Sequence, residues 1–300
     1  MPEPRKVLVT DYTWADTDVE AAVLAAVGAE LVIAQTGEED ELVGLVADCE
    51  GVLTCFKRVT PAVVRAGRCL KVIGRYGIGT DNIAVDVATE LGIPVTNVPE
   101  YCSDEVAEHV LALLFALVRR ITRPGLPTQR IAGMTLGIVG HGPIGRAVEQ
   151  RARGLGMDVL VHTRSGGVSL DELAARSDVV TLHVPATPET EGLIDAAFMA
   201  AMKPSAHLIN CARGAVVDHD ALLAALEAGE IAGAGLDVTV PEPLPAGHPL
   251  LARDDVIVTP HTAFASAQSL AELARVAAQN VADVLAGQRP AAVVNPSVFG

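Results

Sequence analysis

The sequence predicts an α/β protein built as two Rossmann-like domains with parallel sheets and a cleft between them. Three observations lead there. Short apolar runs alternate with helical patterns about every 20 residues, the signature of βα units and a parallel sheet. The series breaks at one long helical stretch, Ser103–Arg120, and then starts again. At the head of the second series stands G-x-G-x-x-G, spelled Gly140-His-Gly-Pro-Ile-Gly145, between the strand-like Met134–Gly140 and the helix-like Arg146–Gly156.

Taken in order, Val7–Thr10 reads as a strand, followed by helix Asp18–Val27, which Asp16 or Thr17 caps and Gly28 ends. Strand Leu31–Gln35 precedes the acidic-start helix Glu38–Ala47. Strand Val52–Phe56, helix Pro61–Ala66, strand Leu70–Tyr76, helix Ile83–Leu91 and strand Pro94–Asn97 complete the first series. Helix Ser103–Arg120 carries Ser103 and Asp104 at its start and two arginines at its end, as the helix dipole favours, and is expected to bridge the two domains. After the fingerprint come strand Val159–Val161, a vestigial helix around Leu173, strand Val179–Val184 and helix Glu189–Met202. Strand His207–Asn210, helix Ala221–Ala228, strands Gly235–Val238 and Val256–Thr259, and helix Ser266–Ala286 follow. Val293-Val-Asn295 is expected to return to the first domain. The expected division is 1–97 with 264–300 as a substrate-binding lid, and 98–263 as the dinucleotide domain. Open sheets of this kind bind ligands at the carboxyl ends of their strands.

Composition narrows the partners. Three hundred residues suffice for two cores, and a formal charge of −15 argues against nucleic acid or an anionic membrane. A small anionic substrate must then be held by local cations or backbone N–H groups. The five cysteines show no C-x-x-C spacing, which points to reduced thiols in a cytoplasmic protein, with neither a disulfide framework nor a zinc site. Met1–Lys6 leads directly into a strand, without the pattern of a signal peptide. The longest apolar run, Val110–Val118, is far short of the roughly 20 residues of a membrane span.

The fingerprint is the first functional motif. Gly140 permits a tight turn, Gly142 lets a pyrophosphate approach the backbone, and Gly145 lets helix and strand pack closely. Pro143 and Ile144 complete the loop, and the helix N-terminus turns unpaired N–H groups towards the phosphate charge. The strand that follows ends in His162-Thr163-Arg164-Ser165, without the acid that binds a ribose 2′-hydroxyl. Thr163 and Ser165 offer hydroxyls and Arg164 pairs with a 2′-phosphate, so NADP(H) is expected in preference to NAD(H). A solvated Arg164 lying on the adenine would leave both usable.

Three segments end second-domain strands with charge: Asn210-Cys-Ala-Arg-Gly214, Asp237–Pro243 and Thr259-Pro-His261. An Arg, a Glu and a His at neighbouring strand ends suit reduction of a 2-oxo acid. The guanidinium of Arg213 grips the carboxylate in a fork and polarises the carbonyl. The imidazole of His261 donates the proton, and the carboxylate of Glu242 beside it favours its charged form. Each has a plainer reading: Arg213 capping carbonyls, Glu242 in a solvated turn, His261 as an ordinary loop residue. The other histidines, among them His109 in mid-helix and His183 within a strand, lack a nearby acid–Arg set. In the first domain Gly77-Ile-Gly79 lacks a third glycine, so it reads as a nest for a carboxylate or as a tight turn.

These segments together resemble the D-isomer-specific 2-hydroxyacid dehydrogenases over nearly the whole chain. The resemblance rests on Arg75–Asn82, Val95–Pro99, the fingerprint, Leu182–Pro185, Asn210–Gly214, Gly235–Val238, Pro241–Pro243 and Thr259–His261. Asn97–His109 looks most like the branch that includes the C-terminal binding proteins. The resemblance implies Arg213, Glu242 and His261 as the catalytic set, and Asp237 as a contact to the nicotinamide carboxamide. It places His183, Pro185 and Cys211 along the cofactor. It makes Ile78 and Gly79 backbone donors to a small 2-oxo or 2-hydroxy acid. Tyr76, Tyr101, Cys102 and Phe264 are expected to shape the pocket, and Thr54 to stand on the substrate side. It also implies a homodimer built through the cofactor domain.

Some positions depart from the family pattern. Thr163 replaces the ribose-binding acid, in agreement with NADP(H). Thr54 stands where some members place a substrate-binding Arg, with Lys57 and Arg58 close by. Glu242 in place of Gln argues against formate oxidation, and Ile78 in place of Lys against phosphite oxidation. The connection Ile121–Arg130 is short for a segment that helps build the family dimer. The expectation is a reductase of a small 2-oxo acid. The alternative is a dinucleotide-binding regulatory protein of the C-terminal binding protein type, with little turnover.

Overall fold

The computed structural model describes residues 4–121 and 128–300. It divides into two units, residues 1–101 with 266–300 and residues 102–265. Most of the connection Ile121–Arg130, and the first three residues of the chain, lie outside the described residues.

The first unit holds β1 (Arg5–Val9), α1 (Asp18–Ala25), β2 (Ala29–Ile33), α2 (Glu39–Val46) and β3 (Gly51–Thr54). It continues with α3 (Pro61–Ala66), β4 (Val72–Arg75), α4 (Val85–Glu90) and β5 (Val95–Thr96). All pairings are parallel, in the order β2-β1-β3-β4-β5. Leu8, Val52, Ile73 and Val95 are fully buried against Leu42, Val46 and Val63. That burial of strand side chains accounts for the near-continuous apolar runs in the sequence. The returning helix Ala267–Leu285 covers the sheet where it is barest: a Cβ on Gly74 would lie 2.8 Å from Val281. Beyond that helix, Val294 N–H donates to Val95 O (2.8 Å) and Asn295 Oδ1 accepts from Val95 N–H (2.7 Å), the expected return to the first domain.

The second unit contains α5 (Ser103–Val118), β6 (Thr135–Val139), α6 (Pro143–Gly154), β7 (Asp158–Thr163), β8 (Gly166–Gly167), α7 (Leu170–Arg176) and β9 (Val179–Leu182). It ends with α8 (Ala196–Ala201), β10 (His207–Asn210), α9 (His219–Ala228), β11 (Gly233–Leu236) and β12 (Val256–Val258). The strand order is β12-β11-β10-β9-β6-β7-β8, parallel except for the β7–β8 hairpin. The order reverses between β6 and β9, where such sheets take their ligands.

Several elements differ from expectation for local reasons. Helix α5 belongs to the second unit and lies on β10 and β11. Helix α6 starts at Pro143, whose missing N–H costs nothing in a first turn. Helix α8 is six residues, because Asp195 caps it by accepting from Phe198 N–H (2.9 Å). The vestigial helix is a seven-residue α7 capped by Ser169. No helix among the described residues is long and apolar enough to cross a membrane.

Candidate active site

The three fingerprint glycines stand in different surroundings. Gly140 adopts φ +94°, and a Cβ there would come within 2.4 Å of His183 O at the end of β9. A Cβ on Gly145 would meet Gly140 O at 2.3 Å, so α6 lies against the turn that β6 feeds. A Cβ on Gly142 would meet nothing within 4 Å: the protein leaves that space open. The first-turn N–H groups of Ile144 and Gly145 have no helical acceptor. An open cradle at a helix N-terminus suits a pyrophosphate. His141 is tied to the helix, its Nε2 2.6 Å from Glu149 Oε2. Arg153 donates to the same carboxylate, and these bonds, Arg153 first, hold the Glu149 carboxyl below its ordinary range.

At the end of β7 the chain makes a two-residue hairpin turn, Arg164-Ser165, between Thr163 and its partner Gly166. Both turn residues are exposed, and the Thr163 hydroxyl donates to Gly166 O (3.0 Å). Glu189 lies in the field of Arg164; the Thr187 hydroxyl first, and Arg164 among lesser causes, lower its carboxyl pKa. At the end of β9, His183 Nε2 sits 3.1 Å from the Thr181 hydroxyl, and desolvation pushes its pKa down to about 3, which keeps the ring neutral. Pro185 is exposed, its carbonyl accepting from the Thr190 hydroxyl (2.6 Å). Cys211 is buried, and burial raises its thiol well above the ordinary range.

The three charged segments follow β10, β11 and β12, which are neighbours in the sheet. Asn210 shapes the first, donating to Arg213 O (2.8 Å) and accepting from Ala212 N–H (3.0 Å). The Arg213 guanidinium donates to Ala212 O (2.8 Å), so part of the capping role is real. A Cβ on Gly214 would lie 2.3 Å from the Thr239 carbonyl, so the first and second segments touch along their backbones. In the second, Glu242 Oε1 stands 2.5 Å from His261 Nδ1. His261 has φ +52°, a left-handed conformation rare outside glycine. Its N–H is anchored to Asp237 O (2.9 Å) and Thr259 O (3.0 Å).

Asp237, expected to meet the cofactor, directs its buried carboxylate at this loop. It accepts from the Thr259 hydroxyl (2.6 Å), Thr262 N–H (2.9 Å) and Ala263 N–H (2.9 Å). The same cluster includes His109, which sequence reasoning passed over; its Nε2 is 3.0 Å from Thr259 Oγ1. The only hint in the sequence was its helical spacing to Leu113 and Leu117, which pack on β11.

In the first unit the turn 76–79 is braced through its carbonyls. Buried Arg75 donates to Tyr76 O and to Gly79 O, Asn97 to Ile78 O (2.8 Å), and Val98 N–H to Gly77 O (3.0 Å). The N–H groups of Ile78 and Gly79 are what such a turn has left to offer an anion. The side chains of Tyr76 and Thr54 are buried inside the unit. The Tyr76 hydroxyl donates to Glu20 (3.0 Å) and the Thr54 hydroxyl to Lys57 O (2.8 Å).

A parallel sheet with a glycine cradle at its reversal and a carboxylate–imidazole pair at its strand ends defines a nicotinamide-dinucleotide protein. Residues 111–263 match the family described as "D-isomer specific 2-hydroxyacid dehydrogenase, NAD binding domain". The chain is 37% identical to the D-3-phosphoglycerate dehydrogenase of Methanocaldococcus jannaschii over 97% of its own length but 59% of that protein's. It is 38% identical to the glyoxylate reductase of Thermofilum pendens over 87% of its own length and 85% of that protein's. Among solved structures, a protein of Thermus thermophilus superposes with TM-score 0.91 at 37% identity, covering 96% of this chain and 99% of that one. An NADPH-dependent glyoxylate/hydroxypyruvate reductase of Sinorhizobium meliloti, in complex with NADP and malonate, gives 0.86 at 27% identity, covering 97% of each. The chain belongs to the D-isomer specific 2-hydroxyacid dehydrogenase family.

Proposed function

We propose that the protein reduces a small 2-oxo acid to the D-2-hydroxy acid, preferring NADP(H). The observation that supports this most is the 2.5 Å contact between Glu242 Oε1 and His261 Nδ1. A carboxylate accepts only, so Nδ1 donates, and the proton for the substrate is assigned to Nε2. Glu242 then fixes the ring and balances the imidazolium charge. Arg213 takes the substrate carboxylate and draws electron density from the neighbouring carbonyl. The N–H groups of Ile78 and Gly79 suit the same kind of anion.

Gly140, Gly142, Ile144 and Gly145 would hold the cofactor's pyrophosphate, and Thr163, Arg164 and Ser165 its ribose end; when bound, the cofactor supplies the hydride. His261 would give its Nε2 proton to the carbonyl oxygen of the substrate. The exposed Arg164 between two hydroxyls, with no acid at the end of β7, supports the 2′-phosphate. The test is kcat/KM for glyoxylate, hydroxypyruvate, pyruvate and phosphonopyruvate with NADPH and with NADH. A clear NADH preference would reverse the cofactor assignment. Tight cofactor binding without turnover of any of the four acids would favour the regulatory reading.

A further inference from the structure

His109 sits in the middle of α5, yet its imidazole touches the segment that presents His261. The backbone explains how. Gly235 in β11 has no side chain, and a Cβ there would meet Leu113 Cβ at 3.2 Å and Leu117 Cδ1 at 3.3 Å. Helix α5 therefore lies directly on that strand. Residues four apart share a helix face, and His109, Leu113 and Leu117 form such a row. One turn towards the helix N-terminus from Leu113, the row passes the end of β11 and reaches Asp237 and Thr259.

Hydrogen counting fixes the direction of the contact. The Thr259 hydroxyl has one hydrogen, which goes to Asp237 Oδ1 at 2.6 Å. Towards His109 it has only lone pairs, so at 3.0 Å Nε2 of His109 must carry a hydrogen and donate it. The same nitrogen is 3.5 Å from Asp237 Oδ1. Both residues that His109 addresses hold the loop. Their carbonyls accept the His261 N–H, and the Asp237 carboxylate accepts from Thr262 and Ala263 just beyond it.

We propose that His109 is a positioning residue for His261: its Nε2–H locks Thr259 and Asp237 in the arrangement that sets the imidazole of His261 against Glu242. The proposal rests on His261 being the proton donor, which it deepens. His109 meets no reacting atom; its effect is on where His261 stands. Displacements of about an ångström far from the reacting atoms cost up to about a hundredfold in rate.

The test compares His109→Leu, which removes the donor, with His109→Gln, whose amide N–H reaches a similar point. Leu is expected to lower kcat about tenfold or more while the cofactor Kd changes by less than about twofold; Gln recovers most of that loss. Equal kcat in Leu and wild type, or a Gln variant as slow as Leu, overturns the proposal. A second readout does not need turnover: nitrogen NMR of 15N-histidine-labelled protein. The proposal requires the Nε2–H tautomer, or the doubly protonated ring, for His109, and His261 ring signals that move in Leu but not in Gln. An Nδ1–H tautomer, or His261 signals indifferent to Leu, overturns it as well. Should wild type turn over no 2-oxo acid while the NMR result holds, the dehydrogenase reading has failed and the contact has not.

Discussion

Glu242 and His261, nineteen residues apart in sequence, meet through Oε1 and Nδ1 at 2.5 Å, each on a loop leaving an adjacent strand of one parallel sheet. The carboxylate can only accept, so Nδ1 is the donor in this contact. His261→Ala removes the proton donor and is expected to lower kcat about a hundredfold or more. Glu242→Gln keeps the shape but can turn an amide N–H towards the ring, so a loss of at least about tenfold in kcat is expected, with cofactor Kd unchanged. Steady-state kinetics with glyoxylate measures both; full activity in either variant removes that residue from the mechanism.

The fingerprint makes a paired prediction. Gly142→Ala puts a methyl into space that the protein leaves open, whereas Gly145→Ala drives one to within 2.3 Å of Gly140 O. The first is expected to leave Tm unchanged and to raise the cofactor Kd on the order of tenfold, because the methyl occupies the phosphate's approach. The second is expected to lower Tm and weaken cofactor together. Calorimetry and cofactor titration separate them. A Gly142→Ala protein that binds cofactor as wild type does would mean the pyrophosphate lies elsewhere.

The residues that were legible in advance are those whose chemistry is written locally. A strand–glycine–helix stretch declares its turn, and His207–Asn210 and Pro61–Ala66 coincide with β10 and α3 because turn residues bound their apolar runs. What was not legible depends on direction or on partners distant in sequence. Tyr76 follows the last residue of β4, and nothing local says that its ring turns inward to Glu20, fifty-six positions earlier. Gly166-Gly167 reads as loop, yet forms the edge strand β8, where a Cβ on Gly167 would strike Val161 O at 2.0 Å. His109 looked inert because its partners, Asp237 and Thr259, stand just past strands more than a hundred residues away.

Arg164 tests the cofactor assignment. It occupies an exposed two-residue turn with Ser165, beside a Thr163 hydroxyl already engaged with Gly166 O. Arg164→Ala is expected to raise KM for NADPH about tenfold and to leave KM for NADH within about twofold, since the lost contact is to the 2′-phosphate alone. High salt should weaken NADPH binding more than NADH binding, as an exposed charge pair is screened. Equal changes for both cofactors would assign Arg164 to the shared part of the dinucleotide.

The last prediction concerns a buried acid in the first unit. Glu20 is fully buried; its Oε1 accepts from the Tyr76 hydroxyl (3.0 Å) and from Trp14 Nε1 (3.2 Å), while Oε2 has no hydrogen-bond partner among the described residues. Desolvation, the largest cause, raises its pKa above 4.5. The folded protein therefore holds this proton more tightly than the unfolded chain. Below pH 4.5 both states are protonated and the contribution to stability is fully present. As pH rises towards the raised folded value, the unfolded chain ionises first and stability is lost. Above that value both states are ionised and the loss levels off. Glu20→Gln removes the titration, so its stability should fall less than that of wild type across this window, and the two should agree best at the acid end. Trp14, the single tryptophan, touches Glu20 and lies edge-on to Tyr76 at 4.8 Å, so its fluorescence reports both unfolding and the state of the acid. Urea midpoints from that signal, measured at steps upward from pH 4.5, decide the matter. Parallel curves for the two proteins would show that Glu20 binds its proton no more tightly when folded.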